Sequence, residues 1–210
     1  MLDQELKIQV SALFEGLTSS YIFQISAAPT HPERDNLIHF LTEVAECSPN
    51  ITVEAENKEG LEFTILKDGI AAPVRFQAIP TGHEFSTLLL LILNLDGKGK
   101  NFPDDRLQQR IRALDSDILL ESFISLSCTN CPDVVQALNM ISILNPKIQH
   151  RIIDGALQQE EADKRNIKAV PSVFSNGALL HVGRGSIGEL IQKLEERFGS
   201  APVETNTPPA

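Results

Sequence analysis

Two spacings of apolar residues run through the first half of the chain. Apolar positions recur at helical spacing over 3–16, 33–46 and 82–95, and at strand spacing over 21–26, 51–54, 63–66 and 74–77. The predicted order is helix, strand, helix, three strands and a helix. Strands that alternate with helices in this way are typical of an α/β protein.

The same order returns after a polar, glycine-containing stretch at 96–105, which we interpret as a connection. The pattern there predicts helices over 104–114, 133–144, 157–164 and 187–198, and strands over 118–125, 150–153, 173–175 and 178–182. Asn176 and Gly177 separate the last two strands and favour a type I′ hairpin turn. The second half thus repeats the first with one extra short helix, which indicates an internal structural repeat.

Charge and composition exclude several classes of partner. The chain of 210 residues has a net charge of -10, which would repel nucleic acid and anionic lipid, so we expect neither as a partner. Asp3, Glu5 and Lys7 interrupt the apolar N-terminus, unlike a signal peptide, and no apolar run reaches the roughly 20 residues of a membrane span. Three cysteines, two of them close together, do not form a secreted disulfide framework. We therefore expect a soluble, cytoplasmic protein.

The two neighbouring cysteines form the motif Cys128-Thr129-Asn130-Cys131, between a predicted strand and a predicted helix. Unpaired backbone N–H groups and the positive end of the helix dipole stabilise a thiolate at a helix N-terminus, which lowers the pKa of the Cys128 thiol and makes it nucleophilic. Thr129 and Asn130 are predicted to help cap this helix. Cys131 is placed to attack the mixed disulfide and release the partner. The motif predicts a redox-active disulfide, with no metal and no organic cofactor on this chain.

Two other interpretations of the cysteine pair stay open. The same spacing occurs in half of a zinc knuckle, although Cys47 and the five histidines are not at paired ligand spacing. The pair could also be an inert structural disulfide. The strand before the motif and the helix after it favour the redox interpretation.

A proline begins the last predicted hairpin, in the sequence Val170-Pro171-Ser172. Beside a redox cysteine pair, a cis Val170-Pro171 bond would leave neighbouring backbone groups free to pair with an incoming peptide. The alternative is an ordinary proline at a strand edge. We favour the docking interpretation for Thr129, Asn130, Val170 and Pro171.

The chain resembles the N-terminal domain of the flavoprotein subunit of bacterial alkyl hydroperoxide reductase, in the segments SLSCTNCPDVVQALN, LNPKIQH, VPSVF and GHEF at 82–85. The resemblance covers nearly all of residues 1–200. It implies two contiguous thioredoxin-like folds forming one unit, with mixed central sheets flanked by helices. The first fold would span 1–100 without a CxxC motif and the second 101–199 with it, leaving 200–210 as a disordered tail or linker.

The resemblance also implies a function. Cys128 would be the attacking cysteine, Cys131 the resolving cysteine, Pro171 the cis-proline and Glu84 a carboxylate that influences proton transfer. In the family, electrons pass from an FAD-containing, thioredoxin-reductase-like module to the disulfide of a peroxiredoxin. Since this chain ends near residue 210, before any such module, we expect no FAD or NAD site on it.

Several residues also have structural interpretations. Thr81 and Glu84 fit a capping box, so Glu84 could simply cap a helix, and Glu121 is a weaker candidate for proton transfer. Cys47 is predicted to be a core residue. The glycines of 183–188 match a dinucleotide fingerprint, but no further strand follows, so we interpret them as a turn in which Arg184 could contact a partner.

Two rival functions remain. A general protein disulfide oxidoreductase is the first, although such proteins usually keep cysteine pairs in both halves, and the matching loop at 27–33 has no cysteine. The second is a non-catalytic docking module that keeps only the shape of the fold.

Overall fold

The first half of the chain forms one layered unit, seen in a computed structural model that describes residues 2–199. The prediction for 200–210 lies outside these residues. The elements are α1 (Gln4–Phe14), β1 (Tyr21–Ala27), α2 (Arg34–Ala45), β2 (Ile51–Asn57), β3 (Leu61–Lys67), β4 (Ile70–Gln77), a 3-10 turn at Gly82–Glu84, and α3 (Phe85–Leu95).

The second half repeats this order with the additional short helix. It contains α4 (Asp105–Arg112), β5 (Ile118–Ile124), α5 (Cys131–Leu144), β6 (Ile148–Asp154), α6 (Gln159–Lys164), β7 (Ser172–Ser175), β8 (Ala178–Val182) and α7 (Ile187–Phe198). The predicted α/β class and the repeated element order are confirmed. Most predicted boundaries fall within a few residues of those observed.

The strands of both halves form a single sheet of eight, in the order β2-β1-β3-β4-β6-β5-β7-β8. Strand β4 of the first half pairs in parallel with β6 of the second, with Val74 opposite His150 and Gln77 opposite Ile153. The family resemblance implied mixed central sheets, and the structure joins them edge to edge into one sheet. This junction fixes the two halves against each other.

The hydrophobic core also crosses this junction. Cys131, Val135 and Ile152 of the second half belong to the same buried cluster as Phe63 and Leu88 of the first. A second cluster fills the space between α4, α5 and α7. The start of α5, where the cysteine motif lies, is therefore held by packing from both halves.

Local sequence fixes the chain on either side of β8. Asn176 and Gly177 have φ angles of 48° and 79°, the left-handed values that a type I′ turn requires. Ser186 caps α7, and its capping box with Glu189 is complete. Within residues 2–199, no helix is both long and apolar enough to cross a membrane.

Candidate redox site

Cys128 and Cys131 are joined by a disulfide bond, with their Cα atoms 5.5 Å apart. Cys131 is the first residue of α5 and its side chain is fully buried, whereas Cys128 lies in the preceding turn and is partly exposed. Because an exchange reaction requires access to the sulfur that is attacked, the geometry favours Cys128 as the sulfur that meets a partner.

The turn that carries Cys128 is held by short-range contacts. The Cys128 backbone N–H donates to the Ser125 carbonyl at 2.9 Å. Pro132 lies in the first turn of α5, where backbone N–H groups have no partner within the helix, so its missing N–H costs no helical hydrogen bond. Asn130 is the N-cap residue, yet its side chain makes no capping bond and instead accepts a hydrogen bond from Arg184 Nε at 2.6 Å. The predicted capping role of Asn130 is therefore wrong. Thr129 is exposed beside it.

A second loop reaches the disulfide from the start of β7. The Val170-Pro171 peptide bond is cis, and the Val170 carbonyl oxygen lies 3.8 Å from the Cys128 sulfur. The Pro171 carbonyl accepts a hydrogen bond from the Gly183 N–H at 2.8 Å. The turns at 128–131, 170–171 and 183–185 thus meet at one place on the surface.

Glu84 lies in the turn of the first half that packs against the loop before Cys128 and against α5, and it is almost completely buried. Neither of its carboxylate oxygens has a hydrogen-bond partner, and the nearby Thr87 hydroxyl is also unbonded. Burial raises the Glu84 pKa from 4.5 to about 7, while the Thr87 hydroxyl opposes the shift without reaching hydrogen-bond geometry. A carboxyl group in this state exchanges its proton near neutral pH.

The capping interpretation of Glu84, which was the structural alternative to a role in proton transfer, is wrong. Its carboxylate does not bond the Thr81 backbone, and the Thr81 side chain makes no capping bond. The turn instead packs against the strand-to-motif loop, where the His83 N–H donates to the Leu126 carbonyl at 3.3 Å. Gly82 has a φ of 57°, and a Cβ there would lie 2.8 Å from that carbonyl oxygen, so only glycine allows this approach.

Glu121 belongs to a different cluster. It projects from the face of β5 opposite α5, where it is buried and paired with Arg151 and with Arg165, whose Nη1 lies 2.6 Å from Glu121 Oε2. Burial disfavours the Glu121 charge, but hydrogen bonds from Arg165 and Arg151 outweigh it and lower the pKa. This carboxylate therefore stays ionised, and its ion pairs make it a structural residue.

Asp154 and His181 are two buried polar residues that the sequence analysis did not single out. Asp154 is buried at the end of β6, and with Leu126 it lines a cleft between the two halves. Burial raises the pKa of Asp154, and a hydrogen bond from the Ala156 N–H partly offsets this increase. His181 supports the loop at 183–185. A polar residue that follows or interrupts an apolar strand is the only hint that the sequence offers for either.

The remaining sequence candidates take no part in the disulfide bond itself. Cys47 is buried in the core and not disulfide-bonded, as predicted. The glycines at 183–188 form the turn between β8 and α7 and the first turn of that helix. In the described part of the chain, no three side chains of the metal-binding types cluster in a way that would hold an ion.

The chain is similar to known proteins in sequence and in fold. The thioredoxin domain family matches residues 121–196, which include the cysteine pair and Pro171. The F subunit of alkyl hydroperoxide reductase from Pseudomonas putida is 37% identical over 207 residues, covering 97% of this chain and 39% of that protein. The crystal structure of the NTD_N/C domain of the Enterococcus faecalis protein superimposes with a TM-score of 0.85 at 28% identity, covering 92% of this chain and 100% of that one. The resemblance to the N-terminal domain of the alkyl hydroperoxide reductase flavoprotein is confirmed.

This likeness settles the fold as two thioredoxin-like units in tandem. A protein disulfide oxidoreductase from Aeropyrum pernix shares the fold, with a TM-score of 0.83 at 18% identity over 97% of each chain. The chain spans about two fifths of the length of the alkyl hydroperoxide reductase relatives it matches. Together, the fold and the Cys128–Cys131 disulfide support a thiol–disulfide oxidoreductase.

Proposed function

We propose that this chain is a dithiol electron carrier that reduces the disulfide of a peroxiredoxin and is itself reduced by an FAD-containing, thioredoxin-reductase-like module. The proposal rests on one observation: the two sulfurs of the disulfide differ in exposure. Cys128 is partly exposed beside the Val170 carbonyl, whereas Cys131 is buried. The similarity to relatives named for alkyl hydroperoxide reduction supports the identity of the partner. We place the reaction in the cytoplasm.

The exchange has two steps. The Cys128 thiolate attacks one sulfur of the partner disulfide, so that a Cys128–partner bond forms and the other partner sulfur leaves as a thiolate. Cys131 then attacks the Cys128 sulfur, forming the internal disulfide and releasing the second partner thiolate. The two protons of the original dithiol end on the two partner thiols, and two electrons pass to the partner.

Glu84 is our candidate for the group that manages one of these protons. A buried carboxyl with a pKa of about 7 can accept a proton from a cysteine as it becomes a nucleophile and return it afterwards. It lies in the turn that packs against the loop before Cys128 and against α5. We expect Glu84→Gln to flatten the pH dependence of the exchange rate around neutral pH, with a rate loss of about tenfold or more. An unchanged pH profile would remove Glu84 from the mechanism.

The test of the function uses the reduced chain and a purified, oxidised peroxiredoxin from the same organism. We expect rapid reduction of the peroxiredoxin disulfide by the wild-type chain, none by Cys128→Ser, and much slower reduction of insulin, a generic protein disulfide. Comparable rates on both substrates would support a general disulfide oxidoreductase. No reduction of either substrate would support the docking-module alternative.

A further inference from the structure

Arg184 carries a positive charge that no side chain of the described residues neutralises. It is exposed on the loop between β8 and α7, and its Nε donates to Asn130 Oδ1, inside the cysteine motif, at 2.6 Å. Over residues 2–199, the Arg184 guanidinium forms no ion pair with a carboxylate. Because Nε is fixed, the two terminal amino groups of the guanidinium stay available for an external acceptor.

The loop that carries Arg184 is firmly held. His181 Nε2 lies 3.0 Å from the Gly183 carbonyl oxygen and 2.8 Å from that of Arg184, and since carbonyls only accept, Nε2 carries the proton. Lys193 Nζ lies 3.2 Å from the other ring nitrogen. A Cβ on Gly185 would approach His181 Nε2 to 2.5 Å, so glycine is required for this packing. Arg184 is thus presented from a rigid support.

Arg184 opens into a cleft of about 530 Å³ next to the disulfide, lined by Thr129, Asn130, Asp133, Gly185, Ser186 and Glu189. The two carboxylates of the cleft each lie in the first turn of a helix, Asp133 in α5 and Glu189 in α7, where the helix dipole offsets negative charge. Glu189 also accepts hydrogen bonds from the Ser186 N–H and hydroxyl. Arg184 is thus the cationic side chain of this lining, and its guanidinium is ion-paired with neither Asp133 nor Glu189.

We propose that Arg184 is a specificity-determining residue, which binds a carboxylate next to the disulfide of the partner polypeptide. The inference rests on the proposed function, because the cleft matters only if Cys128 exchanges with a protein disulfide. The planar guanidinium suits a carboxylate, which it can bind with two parallel hydrogen bonds. In the mixed disulfide between Cys128 and the partner, an aspartate or glutamate next to the partner cysteine would be placed to bind the Arg184 guanidinium.

The test compares two short peptides with blocked termini that differ only in having aspartate or asparagine after their cysteine, each activated as a 2-thiopyridyl disulfide. The Cys128 thiolate attacks the peptide sulfur, the mixed disulfide forms, and neutral 2-thiopyridone is released and followed by absorbance. A Cys131→Ser background confines the signal to this first step. Arg184→Gln is compared with Arg106→Gln, which removes the same charge from an exposed position on α4 outside the cleft.

We expect the protein with Arg184 to react about fivefold faster with the aspartate peptide at low ionic strength, as befits an exposed ion pair, and added salt to reduce this ratio. Arg184→Gln should bring the ratio of the two rates to about one, and Arg106→Gln should preserve the ratio. A ratio near one with Arg184 present, or a preference that survives Arg184→Gln, would overturn the inference. Failure to react with either peptide would instead reject the proposed function, and the inference with it.

Discussion

The carbonyl oxygen of Val170 lies 3.8 Å from the sulfur of Cys128 and closes one side of the disulfide. Cys131 is buried on another side by the core that both halves share. The exposed residue next to Cys128 in the motif, Thr129, marks a surface from which a partner sulfur can approach Cys128. Sequence motifs that are separated by about 40 residues meet at this point because β5 and β7 are neighbours in the sheet.

Thiol accessibility follows from the burial of the three cysteines. After full reduction, the native protein should release two equivalents of chromophore from an aromatic disulfide reagent within seconds, as Cys128 reacts and Cys131 closes the disulfide. Cys47 should react only in denaturant, because it is buried and burial raises its pKa. Three fast equivalents in the native protein would contradict this assignment, and Cys47→Ser should leave the fast phase unchanged.

Glu84 should make stability depend on pH. Its pKa is about 7 in the folded state against 4.5 as the ordinary value, so the folded state holds a proton between these pH values that the unfolded state has lost. Stability should therefore fall as pH rises from 4.5 to above 7, by about 3 kcal/mol from this group alone. Urea unfolding of Glu84→Gln should show a gain over the wild type that grows by this amount across the range.

The matched control for this measurement is Glu54→Gln, which removes a carboxylate from an exposed position on β2. Its unfolding free energy should follow that of the wild type at each pH. If the Glu84→Gln profile also runs parallel to the wild type, the carboxyl of Glu84 is not protonated in the folded protein at neutral pH.

Glu121 should act on stability in the opposite sense. Burial opposes its charge, but hydrogen bonds from Arg165 and Arg151 lower its pKa, so its contribution is present above the ordinary pKa and lost as pH falls through the lowered value. Glu121→Gln should cost about 2 kcal/mol at pH 7, less than a fully buried pair because both arginines keep some exposure. Glu160→Gln, in an exposed pair with Lys164, should leave the free energy of unfolding nearly unchanged, because water and salt screen this pair.

Substitution by alanine should have different effects at Gly185, in the loop before α7, and at Gly188, in the first turn of that helix. Gly185→Ala should destabilise the protein by about 1–3 kcal/mol, because the new methyl group meets the His181 ring, which Lys193 holds in place. Gly188 lies in the first turn of α7, where a Cβ would come no closer than 4.0 Å to a neighbouring atom, so Gly188→Ala should be neutral or slightly stabilising. Equal effects in thermal unfolding would contradict the packing described for His181.

The sequence predicted well those elements that are set by neighbouring residues in the chain. Helix α7 begins and ends where predicted, because Ser186 and Glu189 form a capping box, and the hairpin follows from Asn176 and Gly177. The cysteine motif predicted its own position, since its spacing and context are local.

Long-range contacts explain where prediction failed. Asn130 and Glu84 fit capping patterns, but Arg184, 54 residues away, takes the Asn130 side chain, and core packing buries Glu84. The partners of Glu121 lie 30 and 44 residues away, so no spacing rule could orient it. The pairing of β4 with β6 likewise depends on the assembled fold.

Trapping the mixed disulfide tests whether Cys128 attacks a peroxiredoxin disulfide and Cys131 resolves the product. Reduced Cys131→Ser and Cys128→Ser variants are each mixed with oxidised peroxiredoxin, alkylated and analysed by mass spectrometry after proteolysis. We expect a stable adduct through Cys128 in the Cys131→Ser variant and none through Cys131 in the Cys128→Ser variant. An adduct through Cys131, or no adduct with either variant, would contradict this mechanism.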